Sequence, residues 1–252
     1  MMTKRLPALF ILAAGLTMQG LYAQQPAPEN HDLPKKPNLA TVATVSGSAR
    51  FGGPLTGLND NLVTTSNRGG MRQRADAPAR PRTQLYINYE WKQPVATREI
   101  ATFWWNFNNG IRLPEAYHLE YWDGNTFVPV KNVSGLTMNN KALNTATFDE
   151  VKTTKMRILL DSADFGAATL QEWMVFKSDN SPSHPPLVDA GVDRDVMLGG
   201  KTYLAGTVKS VMPVKTISWT KASGPGNVDF AENGTRNATA IFSAPGSYEL
   251  KL

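Results

Sequence analysis

Apolar and polar residues alternate with a period of two along most of the chain. In Leu85–Trp91 the side chains of Leu85, Ile87, Tyr89 and Trp91 fall on one face, and Tyr86, Asn88 and Glu90 on the other. That is the pattern of a strand buried on one side. Similar short runs follow at Thr97–Trp105, Tyr117–Trp122, Thr126–Val130, Asn144–Phe148, Lys155–Leu160 and Leu170–Phe176, and Val42 and Val45 mark a first short strand. Asp123-Gly124, between two of these runs, is a strong hairpin signal. Val151, Met156, Ile158 and Leu160 read as core, and no helical period of useful length appears. Many short strands separated by turn signals predict an all-β protein, an antiparallel β-sandwich or jelly roll.

The polar stretches divide the chain. Met1–Ala23 carries Lys4-Arg5, an uncharged apolar run Leu6–Leu16, and Leu21-Tyr22-Ala23 before Gln24, the layout of a secretory signal peptide. A membrane anchor is the competing reading, but the run is shorter than the roughly 20 residues that span a bilayer. Cleavage is therefore expected, with the mature protein secreted, periplasmic or at the cell surface. Gln24–Pro37 reads as an extended linker, 38–177 as one domain, Ser178–Pro186 as an interdomain linker, and 187–252 as a second domain.

Composition narrows the function classes. Hydrophobic residues make up 41% and charged residues 19%, as in a globular β-rich chain. The net charge of +5 falls by two to +3 with the loss of Lys4 and Arg5, too mild to imply a nucleic-acid partner. Cysteine is absent, which excludes disulfides, thiolate metal sites, a thiol nucleophile and lipoprotein anchoring.

Candidate chemistry concentrates in Thr102–Val130. Phe103-Trp104-Trp105 leads into a polar loop, Asn106–Arg112, built on Asn-Asn-Gly and closed by Pro114. A sugar ring offers an apolar face to an aromatic and a rim of hydroxyls to amides and guanidinium, which makes this a candidate carbohydrate site. Adjacent strand residues face opposite ways, so at most one of Trp104 and Trp105 joins the core and the other is the platform. Asn108, Asn109 and Arg112 are the polar partners. The plainer reading is that Asn109-Gly110 turns the chain and Arg112 pairs with Glu115. Arg68, Arg72, Arg74, Arg80 and Arg82 face a single carboxylate, Asp76, in the long loop Asn67–Arg82. They read as a solvated excursion or as a cationic lip for uronate or sulfated sugars.

An active site is harder to find. His31 and His184 sit in linkers, and His118 shares a strand face with Glu120 and Trp122, so no pair has metal-ligand spacing. Glu90, Glu115, Glu120, Asp123 and Glu172 are available as carboxylates, but no spacing suggests that two converge. Glu172, beside Trp173, reads as a possible hydroxyl ligand.

The aromatic pair, the Gly-containing amide loop, Arg112-Leu113-Pro114 and the strand ending Tyr121-Trp122-Asp123-Gly124 resemble discoidin-like domains (factor V/VIII type C, galactose-binding-like) over roughly Asn38–Lys177. Such domains are appended to bacterial glycoside hydrolases such as β-L-arabinofuranosidases. The resemblance implies a jelly-roll β-sandwich that binds glycan without catalysis. It also implies a structural calcium beside Asn59-Asp60, although Asn61 stands where the family has glycine; a plain Asx-turn is the alternative. Val188-Asp189-Ala190-Gly191, Ser218-Trp219-Thr220 with Ser223-Gly224-Pro225-Gly226, and Phe242–Tyr248 resemble a PKD-like or bacterial immunoglobulin-like domain, in which Trp219 is core. Tyr248, Leu250 and Leu252 alternate as one buried face that ends in mid-strand. The second sandwich is therefore expected to be incomplete, with a catalytic domain downstream. Two further readings stay open: a structural or adhesive protein of β-sandwich spacers, and a fragment of a glycoside hydrolase.

Overall fold

The structure is a computed structural model that describes residues 33–48, 55–63, 85–105, 113–161 and 170–252. The expected leader Met1–Ala23, most of the Gln24–Pro37 stretch, the Arg-rich loop and the Asn106–Arg112 loop, with Asn108, Asn109 and Arg112, lie outside the described residues.

The first sandwich contains β1 (Thr44–Gly47), β2 (Leu85–Trp104), β3 (Ala116–Trp122), β4 (Phe127–Pro129), β5 (Leu143–Asp161) and β6 (Leu170–Phe176). Strand order is β1-β2-β5-β3-β4, and β6 pairs with β2. All pairings are antiparallel. The expected all-β class holds, and the only helices among the described residues are two 3-10 turns, Leu39–Val42 and Leu55–Leu58.

Three expectations need correction. The runs 85–91 and 97–105 belong to one strand, β2, which ends at Trp104 and leaves Trp105 outside it. The runs 144–148 and 155–160 are likewise one strand, β5. Register breaks between Glu90 and Val95 and between Thr97 and Glu99 interrupt the polarity pattern without ending either strand. Pro94 sits in the first break, where its missing N–H costs no ladder bond, and bulges of this kind bend paired strands around a core. Val42 is in a 3-10 turn capped by Asn38, whose Oδ1 accepts from the Ala40 N–H at 3.0 Å; the strand begins only at Thr44.

The alternation in Leu85–Trp91 is realised. Leu85, Ile87, Tyr89 and Trp91 are buried together with Met156, Ile158, Ile100, Trp104 and Trp173 in one cluster. Tyr89 stacks on Trp173 with ring centroids 4.1 Å apart and planes 12° apart. Its hydroxyl donates to the Leu58 carbonyl at 2.7 Å and lies 2.9 Å from the Trp173 carbonyl, a satisfied polar tip on a buried ring.

The second region contains β7 (Leu187–Asp189), β8 (Lys201–Ala205), β9 (Thr207–Lys209), β10 (Thr220–Ser223), β11 (Val228–Ala231), β12 (Asn237–Phe242) and β13 (Glu249–Lys251). They form three small sheets, β11-β12-β8, β10-β13 and β7-β9. Trp219 is buried, as expected, and its indole N–H donates to the Thr235 carbonyl at 3.2 Å. The Tyr248 ring lies against Gly224, at φ +132°, so closely that a Cβ there would sit 2.3 Å from the ring. Only glycine fits both demands.

Between the regions, the Ser178 N–H donates to the Ala96 carbonyl and the Ser181 hydroxyl accepts from the Ala96 N–H, both at 3.0 Å. The Thr41 hydroxyl lies 3.0 Å from the Ser210 carbonyl, and Val211 joins the core cluster of the first sandwich.

Candidate functional site

The end of β2 separates the two tryptophans. Trp104 is fully buried; its Nε1–H donates to the Thr102 hydroxyl at 2.9 Å, and its ring packs against Tyr117. It is the core residue of the pair. Trp105 follows on the other face, half-buried, stacked on Phe103 with centroids 6.3 Å apart.

Beside Trp105 the chain supplies a partner that no sequence motif announced. The Lys141 ammonium lies 4.8 Å from the Trp105 ring centroid, a cation–π contact. Its placement comes from the Thr137–Ala142 loop, which folds around one buried amide. Asn144 Oδ1 accepts from the Thr137 hydroxyl at 2.8 Å and from the Asn139 N–H at 2.7 Å. Asn144 Nδ2 donates to the carbonyls of Ala142 and Asn139 at 2.8 and 3.1 Å. The Lys141 N–H then donates to the Trp104 carbonyl at 2.7 Å. Lys141 has φ +59°, a conformation that a non-glycine residue keeps only when its surroundings impose it. Asn139, Asn140 and Lys141 are all exposed. The site therefore joins a partly exposed aromatic, an amide-bearing loop and a cation, on the strand end from which residues 106–112 depart.

The outer face of β3, β4 and β5 is a ladder of cross-strand pairs rather than a cleft. Arg157 Nε donates to Glu120 at 2.6 Å while its guanidinium lies 4.1 Å from the Phe127 centroid. Lys155 reaches Glu90 at 3.2 Å, and His118 pairs with Asp161. Asp123 caps the hairpin, accepting from the Asn125 and Thr126 N–H groups at 2.8 Å, and these bonds hold its carboxyl below the usual range. Each of these carboxylates is engaged in structure, and no two share a cleft.

Glu172 behaves differently. It is fully buried on β6, where both faces are covered and the two-residue alternation disappears. Oε1 accepts from the Asn61 N–H at 3.2 Å, and no donor among the described residues meets Oε2. Burial, then the charge of Asp60, push its carboxyl well above the ordinary value. The Asx-turn expected at Asp60 is present, with Oδ1 accepting from the Leu62 N–H at 2.9 Å. Asn61 adopts φ +60°, the left-handed conformation a glycine would take, and asparagine tolerates it well. A buried carboxylate oxygen without a donor, next to a second carboxylate, fits the calcium that the resemblance implies. Glu172 and Asp60 would hold the ion. The described residues contain no group of three or more His, Cys, Asp or Glu, so backbone oxygens would have to complete it. Bound there, the cation would neutralise Glu172 and tie the 58–63 turn to β6.

No family model matches the chain, and no curated protein matches it. Solved structures do. A chain of the Streptococcus pneumoniae β-galactosidase BgaA is 18% identical at TM-score 0.43, over 54% of this chain and 92% of that one. The family 32 carbohydrate-binding module of Clostridium perfringens NanJ, solved with galactose, is 16% identical at TM-score 0.41, over 55% of this chain and 96% of that one. A putative α-L-fucosidase from Bacteroides thetaiotaomicron is 14% identical at TM-score 0.39 over 57% of this chain, which spans only 29% of that enzyme. The neighbours include carbohydrate-binding modules.

Proposed function

We propose that the first sandwich is a non-catalytic carbohydrate-binding module of a secreted protein, holding a polysaccharide-degrading enzyme against its glycan. The observation that carries this reading is the rim of Trp105, Lys141 and the Asn139-Asn140 pair, held by the Asn144 amide on a rigid strand end. An aromatic edge beside amides and a cation suits a sugar's apolar face and hydroxyl rim. Asn108, Asn109 and Arg112 would add polar contacts from the neighbouring loop. Of the candidate carboxylates, Glu90 and Glu120 are committed to ion pairs, Asp123 to a hairpin cap and Glu172 to burial, while Glu115 is exposed, which favours binding over hydrolysis. Among the described residues no helix is long and apolar enough to cross a membrane.

A second reading, a spacer or adhesive protein, is favoured by the burial of Trp91, Trp104, Trp173 and Trp219, which leaves few aromatics for ligand. A glycan array probed with the whole chain and its Trp105→Ala variant separates the two. Retention of the parent on plant or host polysaccharides, lost in the variant, supports the module. Equal behaviour of the two proteins supports the spacer.

A further inference from the structure

We infer that Lys141 makes the Trp105 rim selective for acidic sugars, those bearing a carboxylate or a sulfate ester. This deepens the glycan-binding reading and rests on it. Among the described residues, Lys36, Lys155 and Arg157 each lie over an aromatic ring and also meet a carboxylate, in Glu99, Glu90 and Glu120. Lys141 lies over Trp105 and forms no ion pair there. The backbone that carries this side chain is held in place. The left-handed backbone at Lys141, its N–H bond to the Trp104 carbonyl and the four short bonds of the Asn144 amide fix where the side chain starts.

An ammonium over one face of the indole leaves the ring's exposed edge next to it, two complementary surfaces a few ångströms apart. An anionic group accepts a charge-assisted hydrogen bond from the ammonium, while the attached sugar ring contacts the indole. A neutral sugar meets the indole as well but offers the ammonium only a hydroxyl, a weaker acceptor than a carboxylate or sulfate. The exposed ammonium limits the gain to roughly fivefold in affinity, and salt screens it.

The test is calorimetry on the whole chain with four oligosaccharides of matched length: oligogalacturonate, its methyl ester, a sulfated galactan and a neutral galactan. The expected result is about fivefold tighter binding of one or both anionic sugars than of their neutral counterparts at low salt, shrinking as salt rises. Preference for the uronate over the sulfated galactan, or the reverse, identifies the anionic group. Lys141→Gln should erase the preference, and Lys141→Arg should keep it. Lys141→Gly suits the left-handed backbone and removes the charge, so it serves as the variant least exposed to misfolding. Equal binding of acidic and neutral sugars, or a preference that survives both Gln and Gly, overturns the role of Lys141 and leaves glycan binding standing. No binding of any sugar by the parent chain overturns both.

Discussion

The two regions are made from similar short strands but close their cores to different degrees. The first buries Trp91, Trp104, Trp173, Tyr89 and Phe103 in and around a continuous cluster whose members are nearly all inaccessible. The second buries Trp219, Ala238 and Ala240, while Val192, Met197 and Leu198 are 74, 87 and 59% exposed. A groove of about 530 Å³, lined by those three residues with Trp219, Tyr248 and Leu250, runs beside β13. Strand-forming residues alone do not make a closed sandwich; paired layers must also cover each other. Stability should accordingly be concentrated in the first region, where any site also has its rigid support.

The largest expected effect breaks or confirms that asymmetry. Trp104→Ala or Trp173→Ala should cost the first sandwich about 3–5 kcal/mol, the usual result of emptying a buried tryptophan site. Trp219→Ala should lower only the weaker transition. Denaturant titration followed by amide NMR resolves the two regions. Equal shifts in both from either variant would show one cooperative unit, to which the Val211 and Ser181 contacts would then be central.

Next in size is the cation. Calcium at one hundred times its dissociation constant should stabilise the first sandwich by about 2.7 kcal/mol, and Glu172→Gln should abolish the effect. Without calcium, the raised Glu172 value means the folded state holds a proton that the unfolded state releases. Stability should then climb as pH falls from the folded value towards the unfolded carboxylate value of about 4.3, and level off below it. Glu172→Gln should flatten that slope. Melting curves with calcium and with chelator, across pH, give both results.

A smaller gain is expected from Lys141→Gly, about 0.5–1 kcal/mol from relief of the left-handed backbone, measured by thermal melting. The smallest effect belongs to the open groove. Met197→Ser and Leu198→Ser should stay within about 0.5 kcal/mol, because those side chains are already in water. A larger loss would mean that the groove is covered in solution.

Much of the first sandwich is legible in the sequence because its strands have one wet face. Leu85–Trp91 and Tyr117–Trp122 show this, and Asp123-Gly124 marks the hairpin through turn chemistry. Legibility fails where both faces are dry. In β6 every residue is buried, so no alternation reveals that Glu172, which reads as a hydroxyl ligand, is an enclosed carboxylate. The choice between Trp104 and Trp105 fails for the same reason, since Ile100 to Trp104 are all buried and parity cannot tell the two faces apart. Lys141 is not legible as a site residue, because nothing in Asn139-Asn140-Lys141 reveals the left-handed turn imposed by a buried amide three residues later.

The central claim is that the Trp105 end of the first sandwich binds glycan. Calorimetric titration of the whole chain with pectic, arabinan and galactan fragments tests it most directly. A shallow site with one aromatic edge and few polar anchors should give a dissociation constant of ~0.1–1 mM for at least one fragment. Trp105→Ala should remove that binding with the fold intact. Absence of heat with every fragment, or binding that Trp105→Ala leaves unchanged, would contradict the account.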